Sequence, residues 1–291
     1  MMFTILDLEW NGAYSARREC YINEIIQIGA VKTNERFEIL GTLNCFVHPQ
    51  IGKKLNDKVE ELTSISMEDL EGGIPFSQAF RLLQDFIGDS ILLTWGTCDI
   101  RTLVENYNYF FGGTYPRLQK QYVDLQLYCQ LCLKQPLQQQ IGLSAAADLL
   151  HIDYESLGLH QALDDSLLSL ACLKALYREE EFLPMIQVCN KEFYDRVTFK
   201  NKILTDLNHP LIAGKKVYFL CPECGKRMKQ MEKWTLKSKQ FVAAFSCGNC
   251  GNGKKYMGRV QYKLKYDGLQ IKKHLLPLET AQEDKKGRTE Q

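Results

Sequence analysis

Asp7 and Glu9 stand inside FTILDLEW (residues 3–10), a run that otherwise reads as a buried strand. Residues two apart in a strand share a face, about 6.6 Å from each other. The two carboxylates therefore point the same way, with Phe3 and Ile5, while Leu6, Leu8 and Trp10 point to the other face. Burying like charges together is costly through desolvation and repulsion. No Lys or Arg precedes Arg17. A divalent metal ion neutralises such a pair well, because carboxylate oxygens are its preferred ligands. A polar face on an edge strand is the alternative reading.

The first half of the chain alternates strands and helices. MFTILDLEW, EIIQIGAVKT and RFEILGTLNCFVHP read as three strands. PFSQAFRLLQDFIGD reads as a helix started by Pro75 and stopped at Gly88. SILLTW follows as a strand, then CDIRTLVENYNYF as a helix ending at Gly112-Gly113, with LSAAADLLH and HQALDDSLLSLACLKALYR as later helices. In the last of these Leu163, Leu167, Leu170 and Ala171 form one stripe at helical spacing. This order predicts an α/β fold, a mixed sheet flanked by helices, over residues 1–180. Residues 181–212 read as a helical connector broken by Pro184. From 213 to 278 short strands and turns predict a small β-rich domain, including a hairpin about Asp267-Gly268. Residues 279–291 form a polar tail.

The D-x-E pair gains meaning from two further sites. Asp99 follows the strand ILLTW in WGTCD, where a helix begins, and His160 precedes Asp165 by five residues in HQALDD. Taken alone, Asp99 and Asp164 are also acids favoured in a first helical turn. LDLEW, WGTCD and HQALDD, in this order and with EIIQIGAV between the first two, resemble the DEDDh branch of the DEDD 3′–5′ exonucleases. The finer pattern is similar to the KapD-like and Eri1-type members. The resemblance covers roughly residues 1–180. It implies a ribonuclease-H-like core, two Mg²⁺ or Mn²⁺ ions held by Asp7, Glu9, Asp99 and Asp165, and His160 as general base. It also places Trp10 and Asn11 where relatives seat the terminal nucleotide. Many relatives carry smaller or hydroxyl residues there, and Trp10 suits packing as well as stacking.

CPECG (221–225) and CGNCG (247–251) give two Cys-x(2)-Cys pairs, 22 residues apart. Glycine permits the tight turn of each knuckle, and four thiolates predict a closed, structural Zn²⁺ site at Cys221, Cys224, Cys247 and Cys250 in a zinc ribbon. The CQLC at 129–132 has no second pair nearby, so burial in a helix accounts for it better. Eleven cysteines in a chain that opens without a basic leader region point to reduced thiols, hence a cytoplasmic setting. The apolar runs are too short to span a membrane.

The net charge of +1 hides a division. Residues 200–291 hold 20 Lys/Arg against 8 Asp/Glu, and residues 1–199 hold 16 against 27. A polyanionic partner for the basic part follows. Lys226, Arg227, Lys229, Lys233, Lys254 and their neighbours suit phosphates, and Trp234, Phe241, Tyr256 and Tyr262 suit stacking on bases or the core of a small domain. The expected function is a metal-dependent 3′–5′ exonuclease on single-stranded nucleic acid, RNA favoured, releasing nucleoside 5′-monophosphates. DNA trimming or proofreading is one alternative. A non-catalytic nucleic-acid- or protein-binding module is the other, and it would retain affinity without turnover.

Overall fold

The computed structural model describes residues 1–116, 118–155, 157, 161–250 and 255–278. His160, Gly251, Lys254 and the tail 279–291 lie outside them. Two compact units divide the chain, Met1–Thr198 and Phe199–Gln291.

In the first unit β1 (Phe3–Ser15) and β2 (Cys20–Thr33) form a long antiparallel hairpin, and β3 (Ile39–Phe46) extends it. Helices α1 (Asp57–Thr63), α2 (Met67–Glu71) and α3 (Phe76–Ile87) lead to β4 (Ile91–Thr94), which runs parallel to β1. Helix α4 (Cys98–Phe111) crosses to β5 (Gln121–Asp124), parallel to β4. Then come α5 (Leu125–Cys132), α6 (Leu143–Leu149), α7 (Ala162–Leu176), α8 (Glu179–Phe182), β6 (Gln187–Val188) and α9 (Lys191–Thr198). The mixed sheet has the order β3-β2-β1-β4-β5-β6.

Alternation along β1 builds both faces of this sheet. Leu6 and Leu8 enter a core shared with Phe76, Leu83 and Leu103 of α3 and α4. Phe3 and Ile5 enter a second core with Leu168 and Leu173 of α7. Asp7 and Glu9 continue the Phe3–Ile5 face beyond that second core. The helix expected from Pro75 to Gly88 is α3, capped by those two residues. The strand β5 was not foreseen, because QYVD is four residues long and shows no alternation. Of the stripe expected on α7 only Leu170 is buried, together with Ala162, Ser166, Leu168, Ser169, Cys172 and Leu173, whereas Leu163, Leu167 and Ala171 are only partly covered. Small side chains let this helix lie close on the sheet, and close approach outweighs hydrophobic bulk there.

In the second unit β7 (Lys202–Leu204), β8 (Lys229–Gln230), β9 (Thr235–Lys237), β10 (Gln240–Ser246), β11 (Lys255–Lys265) and β12 (Gly268–Pro277) form one sheet. Its order is β12-β11-β10-β8, with β7 on β11 and β9 on β10. The β11–β12 turn is the foreseen Asp267-Gly268, and Gly268 has φ +128°, which a side chain would resist. Phe241, Phe245, Tyr256, Val260 and Tyr262 make the core, with Trp234 partly buried against Phe245. These aromatic rings are thus core residues and not free platforms for bases. Gly258 permits this packing, since a Cβ there would come within 2.6 Å of the Phe245 ring and 2.7 Å of the Phe219 ring.

Candidate active site

Three carboxylates converge at one place. Ligand oxygens of Asp7, Glu9 and Asp165 all lie within 4.8 Å of one another. Asp99 stands beside them, buried, and its Oδ1 accepts the Leu8 N–H at 3.2 Å. Of the four acids foreseen, the structure therefore groups three tightly and ties the fourth to the backbone of the same strand.

Each acid is delivered by a different local device. Asp7 and Glu9 share a face because β1 is extended. Asp99 depends on the turn after β4: Gly96 has φ +82°, a conformation that side-chain-bearing residues adopt at a cost. The Gly96 carbonyl accepts hydrogen bonds from the Thr94 hydroxyl at 2.5 Å and the Tyr122 hydroxyl at 2.7 Å, so the turn is pinned from both sides. Asp165 depends on how closely α7 approaches β2. Gly29 pairs with Asp7 across the hairpin, and a Cβ at Gly29 would sit 2.1 Å from the Ala162 carbonyl carbon and the Leu163 nitrogen. The Ser166 hydroxyl donates to the Gly29 carbonyl at 3.0 Å, and Gln27 Oε1 accepts the Ala162 N–H at 3.1 Å. Gln27 thus caps α7 from the neighbouring strand, a task the helix's own Gln161 side chain does not perform.

The electrostatics agree with a cation site. Burial first, then the charges of Asp99, Asp165 and Glu9, hold the Asp7 carboxyl well above the usual range. Burial, then Asp165 and Asp99, push Glu9 up to about 8. Burial raises Asp99 to about 7 against the opposing pull of backbone N–H groups. Oxygen donors at this spacing, destabilised as anions, fit divalent metal ions.

One wall beside the acids was not legible in advance. Glu24 on β2 accepts the backbone N–H groups of Gln50, Ile51 and Gly52 at 2.5, 2.7 and 2.8 Å. Asn11 donates to the Lys54 carbonyl at 3.0 Å and accepts the Asn56 N–H at 3.1 Å. Both ends of the Asn11 amide are engaged with the backbone of the loop 50–56. Trp10 is partly buried against the core of α3 and α4. His160 lies outside the described residues.

In the second unit the four expected cysteines meet. Cys221 and Cys250 sulfurs are 3.7 Å apart, Cys224 and Cys247 3.5 Å, and Cys247 and Cys250 3.7 Å. All are free thiols, and a tetrahedral zinc with bonds of about 2.3 Å separates sulfurs by about 3.8 Å. Gly225, at φ +69°, closes the first knuckle by donating its N–H to the Cys221 carbonyl at 2.9 Å. The Asn249 backbone N–H lowers the Cys247 thiol to about 7, while the neighbouring Cys224 and Cys247 sulfurs hold the Cys250 thiol well above its ordinary value, as crowded thiols without a cation do. Cys129 of the CQLC pair is instead buried on α5 in the core. Among the described residues no helix is long and apolar enough to cross a membrane.

A family model described as Exonuclease matches residues 4–173, more than half of the chain. The DNA polymerase III PolC-type of Clostridium perfringens (strain 13 / Type A) is 24% identical over 216 residues. That alignment takes in 73% of this chain, and the chain spans only 14% of the polymerase's length. Among solved structures, a 3′-exonuclease in 3′-end specific recognition of histone mRNA stem-loop is similar with TM-score 0.54 and 22% identity. That match covers 64% of this chain and 84% of the other. The nuclease domain of 3′hExo, a DEDDh family member bound to rAMP, is similar with TM-score 0.50 and 24% identity, over 59% of this chain and 90% of that one. At such identities the likeness is one of fold, a ribonuclease-H-like mixed sheet flanked by helices.

Proposed function

The chain belongs to the exonuclease family over residues 4–173, and from that premise we propose a metal-dependent 3′–5′ exonuclease that trims single-stranded nucleic acid, RNA in preference, to nucleoside 5′-monophosphates. The observation that carries this reading is the meeting of Asp7, Glu9 and Asp165 within 4.8 Å, with Asp99 buried alongside. The family implies divalent ions. Asp7, Glu9, Asp99 and Asp165 would hold two Mg²⁺ or Mn²⁺. The chemistry such ions supply when bound is activation of a water and neutralisation of charge at the departing 3′-oxygen. Four carboxylates balance two divalent cations, so the scissile phosphate meets little net repulsion.

His160 would accept the proton of the attacking water, a task suited to a side chain that ordinarily titrates near pH ~6.5. The loop 50–56, held by Glu24 and Asn11, would wall the site and keep a strand end in place. Cys221, Cys224, Cys247 and Cys250 would hold one structural Zn²⁺, with no open position for chemistry.

Preference for RNA rests on the likeness of LDLEW, EIIQIGAV and WGTCD to Eri1-type enzymes. It is supported by one fold neighbour that recognises an mRNA stem-loop and another bound to rAMP. DNA trimming is the second reading, favoured by the polymerase among the curated relatives.

The test is degradation of 5′-labelled single-stranded RNA and DNA of matched sequence with Mg²⁺ or Mn²⁺, comparing wild type with Asp7→Asn. A ladder shrinking from the 3′ end, lost in Asp7→Asn and faster on RNA, is the expected result. Faster decay of DNA would select the second reading. Activity that survives Asp7→Asn would remove the site from the chemistry.

A further inference from the structure

We propose that the solvent-facing side of the second unit's sheet is a phosphate-backbone track that holds the nucleic acid by charge alone, without reading bases. Cross-strand register defines this face. Arg259 lies opposite His274, Gln261 opposite Lys272 and Lys263 opposite Gln270 on β11 and β12. Across the other edge Arg259 lies opposite Val242 of β10, and Ser246 of β10 opposite Lys229 of β8. Gln240 pairs with Lys237 of β9. Because side chains alternate, Arg259, Lys263 and Lys265 line one side of β11, and Tyr256, Val260 and Tyr262 fill the core from the other.

Three features select the occupant. First, the face carries Lys and Arg on β8, β9, β11 and β12 and, among the described residues, no Asp or Glu. Its complement is a dense run of negative charge. Second, the face lacks an aromatic anchor. None of its register positions on β8 to β12 holds an aromatic residue; β10 contributes Gln240, Val242, Ala244 and Ser246, and the apolar pair Met257 and Leu276 lies at one end, while the exposed rings of this unit, Tyr218 and Tyr266, lie off these positions. Protein partners bind through buried aromatic or aliphatic hot spots, whereas a nucleic acid backbone is held by cations and counterion release. Third, the cations of β8 and β9 and those of β11 lie on either side of β10, whose Val242 and Ala244 are small and buried, so the charge is spread along the strands rather than gathered at one point. The strand β11 is eleven residues long, about 36 Å at roughly 3.3 Å per residue, enough for several nucleotides. Without rings to stack on, contacts to phosphate carry no sequence information. The track therefore treats all sequences alike and does not sense the 2′-hydroxyl. Identifying this nucleic acid with the substrate rests on the exonuclease reading above. The track itself does not.

The test uses the full zinc-loaded chain without added Mg²⁺ or Mn²⁺, so that binding is read apart from hydrolysis. Kd for 30-nucleotide poly-uridine RNA and poly-thymidine DNA is measured between 50 and 200 mM salt. A face variant, Arg259→Gln/Lys263→Gln/Lys272→Gln, is compared with an equal-charge control on the loops, Lys215→Gln/Lys216→Gln/Lys233→Gln. Retained zinc content and melting temperature confirm that both fold. At about 0.7 per phosphate contact, the face variant should lower the slope of log Kd against log salt by about 2, equally for RNA and DNA, with the control near wild type. Equal slopes in the two variants would overturn the track. So would tighter binding of polyglutamate than of either nucleic acid. With Mg²⁺ added, the face variant should cleave a trinucleotide at the wild-type rate and lose ground only on the 30-mers. Absence of cleavage on every substrate, with the binding slopes as expected, would instead overturn the exonuclease reading and leave the track standing.

Discussion

A single missing Cβ sets the distance on which the acidic site depends. At Gly29 a methyl group would meet backbone atoms of α7 at 2.1 Å, and backbone cannot swing aside as a side-chain tip can. Gly29→Ala should therefore displace the first turn of α7, and Asp165 with it. The expected result is a loss of about 2 kcal/mol or more in thermal unfolding and at least about a hundred-fold in nuclease rate, the scale on which misplaced groups fail. Unchanged activity would show that Asp165 does not depend on this contact. The carboxyls themselves predict a pH effect. Glu9, at about 8, and Asp99, at about 7, bind protons in the metal-free fold that the unfolded chain has already released above its ordinary carboxylate range. The folded state then holds more protons than the unfolded one, so metal-free stability falls as pH rises from that range through about 8. Metal displaces those protons, so the rise in melting temperature caused by Mn²⁺ should be larger at pH 8.5 than at pH 6. Glu9→Gln should flatten that difference. A Mn²⁺ shift that is the same at both pH values would separate the acids from the metal.

At the scale of elements, the turns matter more than the strands and helices they join. The β4–α4 turn passes through Gly96 at φ +82°, where a Cβ would also come within 2.8 Å of the Gln126 side-chain oxygen. Gly96→Ala should cost about 1–2 kcal/mol from the left-handed backbone alone. It should also lower nuclease rate by moving the start of α4, on which Asp99 lies. A rate equal to wild type in a destabilised protein would assign Gly96 to folding only. The strand pattern of FTILDLEW and the stop at Gly88 were legible because alternation and end signals are local. The packing of α7 was not. Its buried side mixes Leu168, Leu170 and Leu173 with Ala162, Ser166, Ser169 and Cys172, and nothing in a leucine-rich helix announces that Ala162 and Ser166 are the residues that meet β2 at Gly29. The capping of α7 by Gln27 was equally hidden, since the partner lies 135 residues away.

For the whole molecule, two units of opposite charge make separable predictions. The second unit has a small core tied together by the cysteine cluster, and such domains draw much of their stability from the metal. A chelator strong enough to strip zinc, or Cys224→Ser, should abolish a low-temperature unfolding transition while that of Met1–Thr198 persists. Simultaneous loss of both transitions would show that the units do not fold independently. Residues 1–199 carry a net negative charge and residues 200–291 a net positive one, and at physiological salt such charges act over about 8 Å.

Residue type and short spacing determined the acids, the cysteines, the charge division and the alternation of strand and helix. Each of these is a local property: a D-x-E on an extended strand, a Cys-x(2)-Cys knuckle, a hairpin turn at Asp267-Gly268. Only the tertiary structure decided how they combine. It brought Asp165 to Asp7 across the gap of one glycine, turned Asn11 and Glu24 to the loop 50–56, gathered Phe241, Phe245, Tyr256 and Tyr262 into the core of the second unit, and set Arg259, Lys263 and Lys265 on the other side of β11. The physical reason is that close packing and cross-strand register are set by neighbours distant in the chain, and no window of sequence contains both partners.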